Sequence, residues 1–192
     1  MSQIPIYTIG YGAREVNDFI AVLQAHDIAY LIDVRSRPYS RYKTDFSKGT
    51  LEEHLQAQGI RYIFMGDTLG GQPADRDCYV DNKVVYDLVR QKPFYQEGIG
   101  RLRQAQRQQL RVAIMCSEGK PEQCHRSKLI GITLKAEGIE VAHIDENDQL
   151  ISQEDVNLRL DNGQLRLFDD SHYNLQSRKR YQSKEDDETG GI

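Results

Sequence analysis

No apolar run in this chain approaches the roughly 20 residues that a membrane-crossing helix needs, so no spanning segment is expected. The N-terminus has no charged stretch leading into a long apolar one, so no secretory signal is expected either. Charge of one sign is also missing: 25 Lys and Arg against 29 Asp and Glu leave a formal charge of -4. That balance does not announce a nucleic-acid binder, although a net figure hides local patches. Cysteine is scarce, with Cys78, Cys116 and Cys124 the only three, and an odd count argues against a disulfide framework. With no export signal, it points to reduced thiols and a cytoplasmic location, with a Cys116–Cys124 bridge as a redox state open to the chain. No internal repeat is visible. What remains is a chain of 192 residues, 39 % hydrophobic and 28 % charged, enough for one soluble domain with a proper core.

Apolar patterning gives the fold class. Residues 5–10, 29–34, 61–65, 112–115 and 140–144 read as strands, several of them apolar at every position, which suits a buried parallel sheet. Between them, residues 16–26 place Val16, Phe19, Ile20, Val22 and Leu23 on one helical face. Residues 51–58, 94–109 (Ile99 and Leu102 inward) and 121–137 read as further helices. This alternation predicts an α/β domain over residues 1–160, with a mainly parallel sheet of about five strands and helices on both faces, a Rossmann-like three-layer sandwich. Residues 149–160 are expected to add a small hairpin or helix at the edge. The long segment 66–81 reads as a functional or mobile loop, and residues 161–192 as a polar, largely disordered tail.

The chemistry is concentrated in Val112 to Arg126, VAIMCSEGKPEQCHR. An apolar strand ends at Cys116, a polar loop follows, and Pro121 opens a helix with Cys124, His125 and Arg126 near its start. Open α/β sheets place ligands at such strand ends. A helix amino terminus and a neighbouring cation favour a thiolate, so Cys116 or Cys124 is a candidate nucleophile, His125 a base or acid, and Glu118 an orienter or second acid. The same residues admit three alternatives. Cys116 as a plain buried hydrophobe ending a strand leaves the rest of the cluster unexplained. Zinc held by Cys116, Cys124 and His125, with Cys78 as a fourth ligand, is disfavoured because adjacent Cys124 and His125 would diverge on a helix. A cysteine-phosphatase loop needs an arginine six positions after the cysteine, where this chain has Glu122, and Arg126 lies ten away. The sequence therefore calls for no cofactor and no metal.

A second region should face the same edge. Residues 35–48, RSRPYSRYKTDFSK, hold the five basic residues Arg35, Arg37, Arg41, Lys43 and Lys48, interleaved with Tyr39, Tyr42 and Phe46, against the single acid Asp45. Basic groups among aromatics suit phosphates and stacked bases. Arg35 leaves a buried strand directly towards the presumed site, with Asp33 as its neighbour or as a site carboxylate. Gly70 and Gly71 could let backbone approach a ligand closely or form a turn. His26 and His54 read as helix-end and helix-surface residues, and His143 ranks below His125 as core or site.

The pieces Thr8-Ile9-Gly10-Tyr11-Gly12, Asp33-Val34-Arg35-Ser36-Arg37-Pro38 with Ser40, Gly59-Ile60-Arg61-Tyr62, Leu69-Gly70-Gly71 and Cys116-x-Glu118-x-x-Pro121-x-x-Cys124-His125-Arg126 follow one another in this order. In this the chain resembles the bacterial and archaeal domain-of-unknown-function family 488. The resemblance implies a compact α/β domain and an enzymatic role without supplying a reaction. With the basic loop, it gives the candidate substrate-binding set Arg35, Arg37, Ser40, Tyr42, Tyr11, Gly70, Gly71 and Arg126, and a nucleotide or nucleic acid is the preferred anionic substrate. The Asp-Val-Arg strand end and the cysteine loop are also similar to rhodanese-like sulfurtransferases, so sulfur transfer or thiol redox chemistry is an alternative. Finally, Gln164-Leu165-Arg166-Leu167-Phe168 looks like the peptide that docks on the bacterial sliding clamp. Gln164, Leu165, Leu167 and Phe168 would be the contacts of a non-catalytic replication or repair module.

Overall fold

Strands that are apolar at every position must be covered on both faces, and the fold follows from that requirement. The structure is a computed structural model and describes residues 3–160 and 175–181. In chain order β1 (Ile6–Gly10) leads to α1 (Val16–Ala25), β2 (Tyr30–Asp33), α2 (Lys48–Ala57) and β3 (Arg61–Phe64). A one-turn α3 (Gly66–Leu69), a hairpin of β4 (Tyr79–Val80) and β5 (Lys83–Val84), α4 (Tyr86–Arg90) and α5 (Pro93–Arg107) precede β6 (Val112–Cys116). The chain continues through a π-turn over Arg126–Gly131 into α6 (Ile132–Ala136), β7 (Val141–Ile144), β8 (Leu150–Ser152) and α7 (Gln153–Leu160). None of the described helices is long and apolar enough to cross a membrane.

The main sheet has six strands in the order β3-β2-β6-β1-β7-β8, parallel except for β8, which runs antiparallel to β7. This is the predicted three-layer α/β class. The strand count exceeds the expected five because β8 adds an antiparallel edge. Alternate residues of each central strand enter two separate cores. Tyr7, Ile9, Leu31, Ala113 and Met115 pack under α1 and α2 with Phe19, Leu23, Leu51 and Leu55. Ile6, Ile32, Val112 and Ile114 pack on the other face against Tyr95, Ile99 and Leu102 of α5 and Leu129, Ile130 and Leu134 around α6. Asp81 and Asn82 join β4 to β5 with φ of +50 and +61°, the two-residue turn that matches hairpin twist, so part of the segment expected as a long loop is a hairpin.

The chain runs from β1 to β2 and β3 on one side, then β6 returns to fill the gap between β1 and β2. The carboxyl ends of β1, β2 and β6 therefore lie together, at the kind of switch point where open sheets bind ligands. Register fixes the neighbours: Gly10 is opposite Cys116 and Asp33 is opposite Met115.

Of residues 161–192, expected as a polar and largely disordered tail, 175–181 are described. Residues 175–181 form a strap along β5 and α4. Ser177 N–H donates to the Val84 carbonyl at 2.9 Å, Ser177 Oγ accepts from Val84 N–H at 2.9 Å, and Tyr181 N–H donates to the Asn82 carbonyl at 2.8 Å. The clamp-like residues Gln164, Leu165, Leu167 and Phe168 lie outside the described residues.

Candidate active site

Three strand ends and one capped helix build a cleft of about 230 Å³. Tyr11 follows β1, Arg35 to Arg37 follow β2, and Cys116 to Glu118 end β6; Cys124 and His125 close the floor, and Ser177 to Lys179 of the strap form one rim. Cys124 is not on the helix that Pro121 was expected to open. Pro121–Gln123 makes one 3-10 turn, and Cys124 is extended, with φ -119 and ψ 149. Its carbonyl accepts from Lys128 N–H at 3.2 Å and its Sγ from Arg126 N–H at 3.5 Å. Cys124 thus caps the helix that His125 begins, and the two side chains converge instead of diverging. Cys116 Sγ, Cys124 Sγ and His125 Nδ1 all lie within 4.8 Å of one another.

The imidazole is held in one tautomer. His125 Nε2 lies 3.2 Å from the Val34 carbonyl, which can only accept, so Nε2 carries a proton. Nδ1 faces both sulfurs, 3.8 Å from Cys116 and 3.6 Å from Cys124, as acceptor from an S–H while the ring is neutral and as donor to a thiolate once the ring is protonated. Gly71 makes this possible, because a Cβ there would sit 2.8 Å from Nδ1. Gly70 in turn admits the Gly66 carbonyl, so both glycines make room for the protein's own atoms rather than for a ligand. Gly10 has the same use: the Glu118 carbonyl lies 1.7 Å from where its Cβ would be, and only glycine lets the β6 loop lie down on β1.

The two thiols differ in their hold on the proton. Cys116 is held well below the usual thiol range, first by the Cys124 S–H beside it, then by His125 and the Glu118 backbone N–H, against the opposing effect of burial. Cys124 is pushed well up, by burial first and then by the neighbouring Cys116. The pair therefore shares one proton, with the charge on Cys116. Behind them Arg126 is fully buried, its Nη2 donating to the Gly119 carbonyl at 2.7 Å while Nε and Nη1 have no partner. Burial pulls its pKa down, and the sulfur pair, with Glu122 as a smaller contributor, works in the opposite direction. No carboxylate lies within ion-pair distance of it among the described residues, so the sulfur pair is its main counter-charge, with Glu122 a smaller one.

Arg35 is 5 % exposed and grips Asp33 through Nε at 2.9 Å and Nη2 at 2.6 Å, leaving Nη1 without a partner in the cleft wall. Tyr62 also donates to Asp33, at 2.6 Å, so the carboxylate is a positioning group. Arg35 passes over the Tyr11 ring at 5.5 Å.

Of the sequence candidates, the cleft gathers Cys116, Cys124, His125, Tyr11, Arg35, Arg37, Gly71 and Glu118. The Glu118 carboxylate does not meet the thiols as expected of an acid; it holds the strap, with Arg178 at 3.3 Å and Lys179 at 3.9 Å. Ser40, Tyr42, Gly70 and Arg126 do not line the cleft. Ser40 is buried and accepts from Lys43 N–H at 3.1 Å, Tyr42 is 93 % exposed outside, and Arg126 lies beneath the floor. Cys78 is buried in the α4–α5 core and stands apart from the other donors, so a four-ligand zinc knuckle is not assembled among the described residues. Among the described residues, Cys116, Cys124 and His125 are the three that could hold a metal ion. Sequence reasoning missed Ser36, Gln72 and the strap residues Ser177, Arg178, Lys179 and Tyr181. The one available signal was the basic run Arg178-Lys179-Arg180 beside Tyr181 in an otherwise acidic tail.

In comparison with known proteins, the family model described as Domain of unknown function DUF488 matches residues 15–132. No curated protein and no solved structure matches the chain significantly.

Proposed function

From the premise that the chain belongs to the DUF488 family, which assigns no reaction, we propose that it is a cysteine-dependent enzyme acting on an anionic substrate. One observation carries the proposal: in a single cleft, two adjacent thiols, a tautomer-fixed imidazole and an unpartnered guanidinium N–H converge from three separate chain segments. Cys116 is the nucleophile. His125 Nδ1 takes a proton from the sulfur pair or returns one to a leaving group, and Arg35 Nη1 with Arg37 receives the substrate's anionic oxygens. A bystander cysteine needs none of these. Alkylation by iodoacetamide, with the modified residue found by mass spectrometry, tests it. Cys116 should react first and below the pH at which free cysteine reacts, and inorganic pyrophosphate should protect it. Preferred labelling of Cys124, or no protection by the anion, would sink the proposal. Zinc analysis of the purified protein belongs with it, because a stoichiometric metal on Cys116, Cys124 and His125 would replace the nucleophile.

The second thiol favours a second reading, sulfur transfer or thiol redox chemistry. Cys116 and Cys124 are close enough to form a disulfide by losing two hydrogens to an external disulfide oxidant such as oxidised glutathione. A persulfide or a Cys116–Cys124 bridge in intact-mass spectra after treatment with a sulfur donor or that oxidant would favour it. Unchanged mass under both treatments excludes it.

A further inference from the structure

We propose that the anion received by this cleft belongs to a single-stranded nucleic acid, whose bases stack on the loop between β2 and α2. The inference rests on the reading of the cleft as an anionic-substrate site, and it names the substrate class.

That loop is braced from below. Lys48 N–H donates to the Pro38 carbonyl at 2.8 Å, and Ser40 N–H to Ser47 Oγ at 3.2 Å. Lys43 Nζ reaches the Arg14 carbonyl and Glu15 Oε1, each at 2.8 Å. Phe46 is buried and stacks on Tyr11 with ring centroids 4.3 Å apart. A loop this well tied could tuck its aromatics inward. Instead it holds Tyr39 at 70 % and Tyr42 at 93 % exposure, with Arg37 and Arg41 also exposed among them. Arg37 and Tyr39 line the cleft as well, so the platform runs into it without a break.

The opposite rim is cationic too. Glu118 holds Arg178 and Lys179 over the cleft mouth, and exposed Arg180 follows. The cleft thus lies between two basic walls on a protein whose net charge is -4. A basic track flanking exposed aromatic faces is the arrangement that binds single strands without sequence preference. A free phosphate or mononucleotide would use Arg35 and Arg37 and leave Tyr42 idle. A duplex keeps its base faces stacked internally and has none to offer. An acidic protein segment would answer the charges but not the rings.

Fluorescence anisotropy with labelled oligo-dT and oligo-U of ~12 nucleotides, a length suited to such grooves, tests this against duplex DNA, thymidine monophosphate and polyglutamate. The expected result is salt-sensitive binding of at least one single strand, with duplex, mononucleotide and polyglutamate weaker. Tyr42→Ala should weaken it about tenfold, as expected for a lost base stack, and Tyr42→Phe should restore it. The DNA and RNA arms distinguish the two sources of the same chemistry. Equal binding by wild type and Tyr42→Ala, or polyglutamate competing as well as the oligonucleotides, overturns the inference. Failure here leaves the alkylation of Cys116 and its protection by pyrophosphate intact, whereas failure of the enzymatic reading removes those.

Discussion

His143 offers a quantitative test of the polar interior behind the site. It is fully buried in β7, and its hydrogen bonds fix its protonation. Gln153 Nε2 donates to Asn157 Oδ1 at 2.8 Å, which turns Gln153 Oε1 towards His143 Nε2 at 2.9 Å. Nε2 is therefore the donor, and Nδ1 accepts the Thr8 hydroxyl at 2.7 Å. Burial, with the Arg126 cation as a second cause, depresses the His143 pKa from 6.5 to about 3. The unfolded chain takes up a proton below pH 6.5 that the native chain refuses until about pH 3, so this residue's stabilisation is complete above 6.5 and is lost as pH falls. Each unit is worth about 1.4 kcal/mol, which gives a loss of about 2 kcal/mol at pH 5 relative to pH 7. His143→Asn keeps an acceptor for Thr8, leaves Gln153 Oε1 unpaired, and does not titrate. It should be less stable than wild type at pH 7 by about 1–3 kcal/mol. At pH 5 that gap should narrow by about 2 kcal/mol, because only wild type has lost stability at this position. Urea unfolding of both proteins at the two pH values gives the double difference, in which the carboxylates common to both cancel. Parallel acid limbs would refute the buried neutral histidine.

Arg126→Met removes the buried cation opposite the sulfur pair, so the thiolate absorbance near 240 nm should appear at higher pH than in wild type; an unchanged titration would show that Arg126 is not the counter-charge. Gly71→Ala drives a Cβ into the His125 ring, and we expect lost Cys116 alkylation at a stability cost of about 1–3 kcal/mol. Unaltered reactivity would mean the position of the His125 imidazole is not needed. Arg35→Ala leaves Asp33 buried and unpaired, costing about 3–5 kcal/mol by urea midpoint, while Arg35→Lys keeps charge but loses the free Nη1 and should weaken pyrophosphate protection more than it weakens the fold. Full protection in Arg35→Lys would remove Arg35 from substrate binding.

The sheet was legible because buried parallel strands are apolar on both faces, and no helix or loop of this chain looks like 112–115. The strand-end rule then brought Arg35 and Cys116 to one edge without any contact information. What stayed hidden has physical causes. The hairpin turn at Asp81-Asn82 lacks the glycine that usually marks positive φ. The extended backbone of Cys124 interrupts a segment that Pro121 and the following apolar residues made look like one continuous helix, and a sulfur cap is a weak pattern beside Ser, Thr, Asp or Asn. The strap docks through main-chain bonds to β5 and α4, which hydropathy does not register. Ser40 and Arg126 belong to the same motifs as the cleft residues, and spacing alone does not separate a side chain that lines a cavity from one that props it up.

That separation bears on how the site works. Beneath the floor lies a cation, Arg126, with no carboxylate in ion-pair distance among the described residues, and the wall holds a second, Arg35, already neutralised by Asp33. The two arginines therefore serve opposite ends of one problem. Arg126 can favour charge on sulfur only because it is sealed from water, where screening would cancel it. Arg35 can receive an incoming anion only because Asp33 fixes its plane and leaves Nη1 unpartnered in the cleft wall. If both were open to solvent, an anion would compete with the thiolate for the same cations. Burying one and tethering the other lets a negatively charged substrate approach a negatively charged nucleophile, which is the electrostatic difficulty that any such reaction in this cleft must overcome.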